Sequence, residues 1–275
     1  MFEIDYRIPI IDRHQIAGPH NIIPVDSDDP RFSEPLVKLE SYGVAFNSYH
    51  AITDGNNPPY GRPIGGSRQE GWIRKSVAER LARVNGHLEP YGAELIVLDA
   101  YRSMECQQGL WNFFYEQGRE KHPGADNQVL TEYALGFVRD PRLFDKEDSA
   151  TFPAHATGAS VDVTIRDIKT RKLLNMGSRF EEIIDVSYTD YFERQLNNGL
   201  IEADDERLLN RRMMDWAFTR ENFLNDPILY WHYDWGNQLY IKVKRAISDD
   251  APAAAWYGYI APPQWEFGDT HNLST

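Results

Sequence analysis

His155-Ala156-Thr157-Gly158-Ala159-Ser160-Val161-Asp162-Val163-Thr164-Ile165-Arg166 is the stretch that decides how this chain folds. From Ser160 to Arg166 apolar Val161, Val163 and Ile165 alternate with Asp162 and Thr164, the period of a strand with one face in a core. Asp162 then points away from that core and can face a pocket. His155 sits before a Gly158 turn that lets the chain fold back. A second histidine, His232, lies in the aromatic run Tyr230-Trp231-His232-Tyr233-Asp234-Trp235-Gly236-Asn237. Two imidazoles and one carboxylate are the usual three-protein-ligand set of a catalytic metal site with an open position.

The flanking sequence supplies helices and strands around this pair of motifs. Ile73 to Leu88 places apolar residues at 73, 77, 81, 84 and 88, the spacing of one helix face. Glu94 to Asp99 reads as a buried strand with a polar end. Ser103 to Gln117 and Val129 to Val138 read as helices separated by a loop, the second stopping at Asp140-Pro141. Glu206 to Phe218 is a further helix. Val44 to Ile52 is expected to be a strand, and Tyr230 to Val243 a strand pair or a strand with a turn at Gly236-Asn237. Residues 1–45, with Pro-punctuated pieces around Ile8-Pro9 and Ile23-Pro24, are expected to pack on the core as an extension. Residues 46–262 are expected to form the catalytic domain, and 263–275 a tail. The fold expected is α+β: a small antiparallel sheet with helices on one side and a single metal site.

Composition narrows the function classes. The chain has 275 residues, enough for a full core, with 41% hydrophobic and 26% charged residues, a globular profile. Its formal net charge of −13 argues against a nucleic-acid partner, which would need a basic surface. One cysteine, Cys106, excludes an intrachain disulfide and a thiolate metal cage. Met1-Phe2-Glu3-Ile4-Asp5-Tyr6-Arg7 has neither a basic start nor an apolar run, and no stretch approaches about 18 consecutive apolar residues. A cytoplasmic protein with no membrane partner is therefore expected.

Five ordered segments carry a more specific signal: Leu98-Asp99-Ala100-Tyr101-Arg102, His155 to Thr164, Asn175-Met176-Gly177-Ser178-Arg179-Phe180-Glu181, Asn210-Arg211-Arg212-Met213-Met214 and Trp231-His232-Tyr233-Asp234-Trp235-Gly236. Together they resemble the D-alanyl-D-alanine dipeptidase family of zinc peptidases, which includes the vancomycin-resistance dipeptidases, over roughly residues 45 to 260. The resemblance implies an α+β enzyme whose zinc (Zn2+) is held by His155, Asp162 and His232. It implies that Arg102 meets the oxyanion formed as water adds to a peptide carbonyl; a salt bridge from Arg102 to Asp99 is the competing reading. Glu181 stands where the family has an Asp that pairs with the substrate's amino group. Asp99 and Tyr230 are the further candidates for substrate contact, and the implied substrate is a small dipeptide or amino-acid-derived molecule.

One position departs from the pattern. The family's catalytic Glu falls on Leu229, three residues before His232, and leucine cannot carry a proton. General acid–base assistance of this kind is worth about 10²- to 10⁴-fold. Among nearby acids, Asp234, Glu221 and Asp226 offer no convincing replacement. Three functions therefore stay open: a zinc dipeptidase-like hydrolase with a different proton shuttle, a repurposed enzyme using the same ligands for Fe2+ and oxygen chemistry, and a catalytically silent binder.

Overall fold

The computed structural model describes residues 5–14, 16, 18 and 20–263. The tail expected beyond 263 lies outside them. Strands β1 (Leu36–Lys38), β2 (Ala45–Phe46), β3 (Trp72–Arg74), β4 (Ala93–Asp99), β5 (Ser160–Asp167), β6 (Leu224–Asp226) and β7 (Leu229–Asp234) form two sheets. The helices are α1 (Lys75–Leu88), α2 (Met104–Lys121), α3 (Asn127–Leu135), α4 (Tyr191–Asn197), α5 (Glu206–Thr219) and α6 (Gln238–Ile247). The architecture is α+β, as expected. β1 and β3 make an antiparallel pair, and a five-stranded sheet runs in the order β2-β4-β5-β7-β6. This larger sheet is mixed, because β2 runs parallel to β4 while the other neighbours are antiparallel.

The alternation in β5 sorts its two faces. Val161, Val163 and Ile165 are fully buried and share one cluster with Leu81, Val84 and Leu88 of α1 and Met214, Ala217 and Phe218 of α5. Burying each such side chain contributes about 1.5–3 kcal/mol. A second cluster joins α2 and α3 through Leu110, Trp111, Phe114 and Ala134.

Two element expectations are corrected. Val44–Ile52 is a strand only at Ala45–Phe46. The chain leaves the sheet after the Asn47 N–H donates to the Val97 carbonyl at 2.9 Å, and a 3₁₀ turn over Tyr49–Ala51 carries His50 inward. Tyr230–Val243 is a strand followed by a helix. β7 ends at Asp234, Gly236 turns the chain at φ 84°, and the Asn237 side chain accepts from the Tyr240 N–H at 2.9 Å to cap α6. The helix α2 also runs four residues beyond Gln117, shortening the expected loop.

The N-terminal residues are tied down across the molecule. The Tyr6 hydroxyl donates to Asp215 of α5, the Ile8 N–H donates to Glu193 of α4, and Arg13 pairs with Asp190 at 2.7 Å. Val25 bridges Ala255, with the Asp26 N–H donating to the Ala255 carbonyl and the Ala255 N–H to the Pro24 carbonyl. Arg74, 1% exposed, donates to the carbonyls of Phe32, Glu34, Thr157 and Gly258, stitching the early chain, the His155 turn and the late chain together. Among the described residues no helix is long and apolar enough to cross a membrane.

Candidate metal centre

Sheet register builds the site. β4 and β5 pair Asp99 with Asp162 across an irregularity in β4, and β5 and β7 pair Asp162 with His232. Residues directly opposite one another share a face, so these three side chains form a row on the side away from Val161 and Val163. His155 comes in from the 3₁₀ turn Ala154–Thr157, which ends at Gly158 with φ 67°. The left-handed conformation favours glycine, and a Cβ there would sit 2.6 Å from the end of the Leu36 side chain, which would have to shift. Arg74 holds this turn through the Thr157 and Gly158 carbonyls, at 2.9 Å each.

His155, Asp162 and His232 are all buried, and one ligand atom from each lies within 4.8 Å of the others. The hydrogen bonds orient their lone pairs. His155 Nδ1 is 2.8 Å from the Ala100 carbonyl, which can only accept, so Nδ1 carries the hydrogen and Nε2 faces Asp162 Oδ2 at 3.4 Å. His232 Nδ1 is 2.9 Å from Asp162 Oδ1. On its other side His232 Nε2 lies 3.1 Å from Asp234 Oδ2, and neither atom makes another hydrogen bond. Asp234 is held in turn by Ser160 and Asn237, both donating to Oδ1 at 2.6 Å. A carboxylate behind a histidine ring is the arrangement that fixes the tautomer of a metal-ligating imidazole.

A neutral His232 with its hydrogen toward Asp234 aims a lone pair at Asp162, as does His155. Two imidazole lone pairs and a carboxylate facing one another need a cation between them, so this donor set fits a single divalent metal such as zinc. The positive charge between them can be that ion or a proton on His232, and the same electrostatic pull favours either. Burial disfavours a charged Asp162, yet His155 and His232 hold its carboxyl well below the usual range. Burial likewise disfavours a charged His232, but Asp234 and Asp162 outweigh it and raise its pKa well above the ordinary value.

Beside the trio is a cavity of about 160 Å³. Tyr60, Arg102, His155, Asp162, Glu181 and His232 supply its polar walls, and Leu110, Phe137, Val138, Ile183, Leu229 and Trp231 its apolar ones. Arg102 makes the expected salt bridge with Asp99, at 2.5 Å, and is also on the wall of this cavity. It also donates to Gln107 at 3.2 Å and reaches within 4.0 Å of Asp162. Glu181 and Leu229 share these walls.

Two of the expected substrate contacts sit elsewhere. Asp99 is not on the walls of this cavity; it bonds Arg102 and approaches His50 at 3.7 Å, lining a smaller pocket on the other side of them. Tyr230 donates to the Ser178 carbonyl at 2.9 Å, lies under the Arg211 guanidinium, and lines a separate groove. Both are occupied in holding neighbouring structure. His50, which the sequence reading passed over, is 2% exposed and sits 3.3 Å from Glu181. No motif marks it; only the inward turn after β2 brings it there.

A sheet that gathers two imidazoles and a carboxylate beside a cavity both charged and apolar has the layout of a mononuclear metalloprotein. The chain belongs to the D-Ala-D-Ala dipeptidase family, whose model matches residues 67–251. It is 27% identical to the D-alanyl-D-alanine dipeptidase of Synechocystis sp. over 68% of this chain and 78% of that protein. It is 24% identical to the D-alanyl-D-alanine dipeptidase of Enterococcus faecalis over 70% of this chain and 86% of that protein. The solved zinc complex of the vancomycin-resistance D,D-pentapeptidase VanY aligns at 16% identity and a TM-score of 0.38, covering 68% of this chain and 85% of that one.

Proposed function

We propose that this protein is a zinc-dependent dipeptidase acting on a small dipeptide of the D-Ala-D-Ala type, with His155, Asp162 and His232 as the metal ligands. The observation that carries this reading is the convergence of three buried ligand atoms beside a cavity that also presents a guanidinium. The two curated relatives, both D-alanyl-D-alanine dipeptidases, support the substrate class.

Zinc, when bound, supplies Lewis-acid chemistry that polarises a carbonyl and makes water a nucleophile near neutral pH. The chain's own groups do the rest. Asp234 holds His232 in the tautomer that leaves Nδ1 free. Arg102 is kept charged although burial opposes it, because Asp99 is its direct partner. Braced there, it faces the charge that develops on the carbonyl oxygen, an interaction stronger in the transition state than in the ground state. The buried Leu110 and Trp231 give the cavity apolar walls, and a less polar surrounding strengthens those interactions.

The test is metal content followed by turnover. Protein loaded with zinc should hold one equivalent and release D-alanine slowly from D-Ala-D-Ala, whereas His155→Ala and His232→Ala should lose the metal. Both variants retaining stoichiometric zinc at wild-type affinity would refute the ligand assignment. Leu229, which makes one wall of the cavity apolar, favours a second reading with Fe2+ and oxygen chemistry. Native iron with oxygen uptake and no dipeptide cleavage would carry that reading instead.

A further inference from the structure

Hydrolysing an amide needs a group that accepts a proton from water and returns it to the leaving nitrogen. The cavity walls narrow the choice. Asp162 is committed to the two histidines, and six of the wall residues are carbon. Arg102 is bound to Asp99, and burial raises the Tyr60 hydroxyl well above its ordinary pKa, so it stays protonated. Among the described residues lining this cavity, one carboxylate remains.

We propose that Glu181 is the proton carrier of this site, positioned by His50. The inference rests on the hydrolase reading above and replaces the amine-anchoring role that the family resemblance implies for this residue. The Glu181 side chain is 15% exposed, open to the cavity but shielded from bulk solvent. Its Oε1 lies 3.3 Å from His50 Nε2, and His50 Nδ1 lies 3.7 Å from Asp99 Oδ2, so the imidazole is braced from behind. Burial opposes charge on His50, but Asp99 and Glu181 raise its pKa to about 9, so at neutral pH the imidazole presents a cationic donor to the Glu181 carboxyl group.

The backbone reinforces the assignment. Glu181 has φ 65°, a left-handed conformation that a residue with a Cβ adopts only under strain. The loop around it is held by Arg211 of α5, which donates to the carbonyls of Met176 at 2.8 Å, Val186 at 2.6 Å and Tyr188 at 2.8 Å. The left-handed residue of this loop is therefore also the one whose carboxylate faces the cavity without being committed to the two histidines.

The step balances as follows. As the water oxygen bonds to the peptide carbonyl carbon, one water proton passes to Glu181 and the carbonyl π pair moves onto the oxygen facing Arg102. When the C–N bond breaks, that pair re-forms the carbonyl, and the carboxylic acid returns its proton to the departing nitrogen. One water is consumed, and one carboxylic acid and one amine are formed.

The experiment uses the zinc-loaded full chain and D-Ala-D-Ala, with kcat and KM from D-alanine release and Kd from calorimetry. Glu181→Gln should lower kcat by about 10²- to 10⁴-fold while leaving KM and Kd within about threefold, the margin of an ordinary context effect. Glu181→Asp, one methylene shorter, should recover part of the rate. His50→Gln, which keeps a single neutral donor, should lower kcat without moving Kd or zinc content. A purely structural His50 would instead lower the melting temperature without separating kcat from KM. If Glu181→Gln matches wild-type kcat, or weakens Kd tenfold at unchanged kcat, the proton role is wrong and the amine role stands. A zinc-bound wild type that cleaves no dipeptide would sink the hydrolase reading itself, and this inference with it.

Discussion

Leu229 is the residue on which reaction chemistry turns. It lines the cavity beside His155, Asp162 and His232, so a carboxylate introduced there would open into the same space. Leu229→Glu is expected to raise the rate of D-Ala-D-Ala hydrolysis, by no more than the roughly 10²- to 10⁴-fold that acid–base assistance supplies. The gain falls short of that limit to the extent that Glu181 already moves the proton. Comparing kcat of the two zinc-loaded proteins settles it, and an unchanged rate would mean that position 229 cannot reach the reacting atoms. At this scale the sequence was informative where residue type alone specifies chemistry. That His155, Asp162 and His232 would be brought together was legible because few residue types bind metals and their motifs are ordered. His50 was not, because a histidine in Tyr49-His50-Ala51 looks the same whether it faces solvent or a buried carboxylate. For Asp99 and Tyr230 the sequence was silent on the partners that both side chains find inside the protein, which only the fold reveals.

The turn that feeds β5 shows how an element enforces the site. Gly158 is left-handed, and a methyl group there would strike Leu36 while straining the backbone between His155 and Asp162. Gly158→Ala should destabilise the protein by about 1–2 kcal/mol, the left-handed penalty, the flexible end of Leu36 giving way to the methyl group. It should also weaken zinc binding, since the two ligands no longer meet at the same spacing. Thermal unfolding and zinc competition with a chelator measure the two effects; wild-type values in both would show that the turn adapts freely. Elements with a clean period were legible from sequence, as the faces of α1 and β5 were. Boundaries were less so. The run after His232 contains enough aromatic and β-branched residues to read as strand, yet Gly236 and the Asn237 cap convert it into α6. Residue by residue the strand propensity is real, but a capped helix start overrides it.

Across the whole molecule, stability should carry a pH signature from Asp215. This carboxyl accepts hydrogen bonds from Tyr6 and Tyr233, but burial dominates and lifts its pKa from 3.8 to about 6. Below about pH 4 both folded and unfolded states hold the proton, and its contribution to stability is complete. As pH rises from about 4 through about 6 the unfolded chain releases the proton first, so stability falls, by up to roughly 3 kcal/mol for a shift of this size. Urea unfolding of metal-free wild type and Asp215→Asn between pH 4 and 7.5 should give curves that diverge across that window, the wild type losing ground. Parallel curves would mean that Asp215 is ionised in the native protein.

The bonds joining Pro24 and Asp26 to Ala255, and Arg74 to both Phe32 and Gly258, link early and late stretches of the described chain. A polypeptide leaving the ribosome exposes its first segments long before their partners exist, and contacts of such long range form late. Arg74 must therefore stay hydrated, and the His155 turn that it pins only partly held, until the last strand and helix have emerged. The turn that carries His155 is thus fully pinned only once Gly258 has been made, and a product truncated before His232 would lack one of the three proposed ligands.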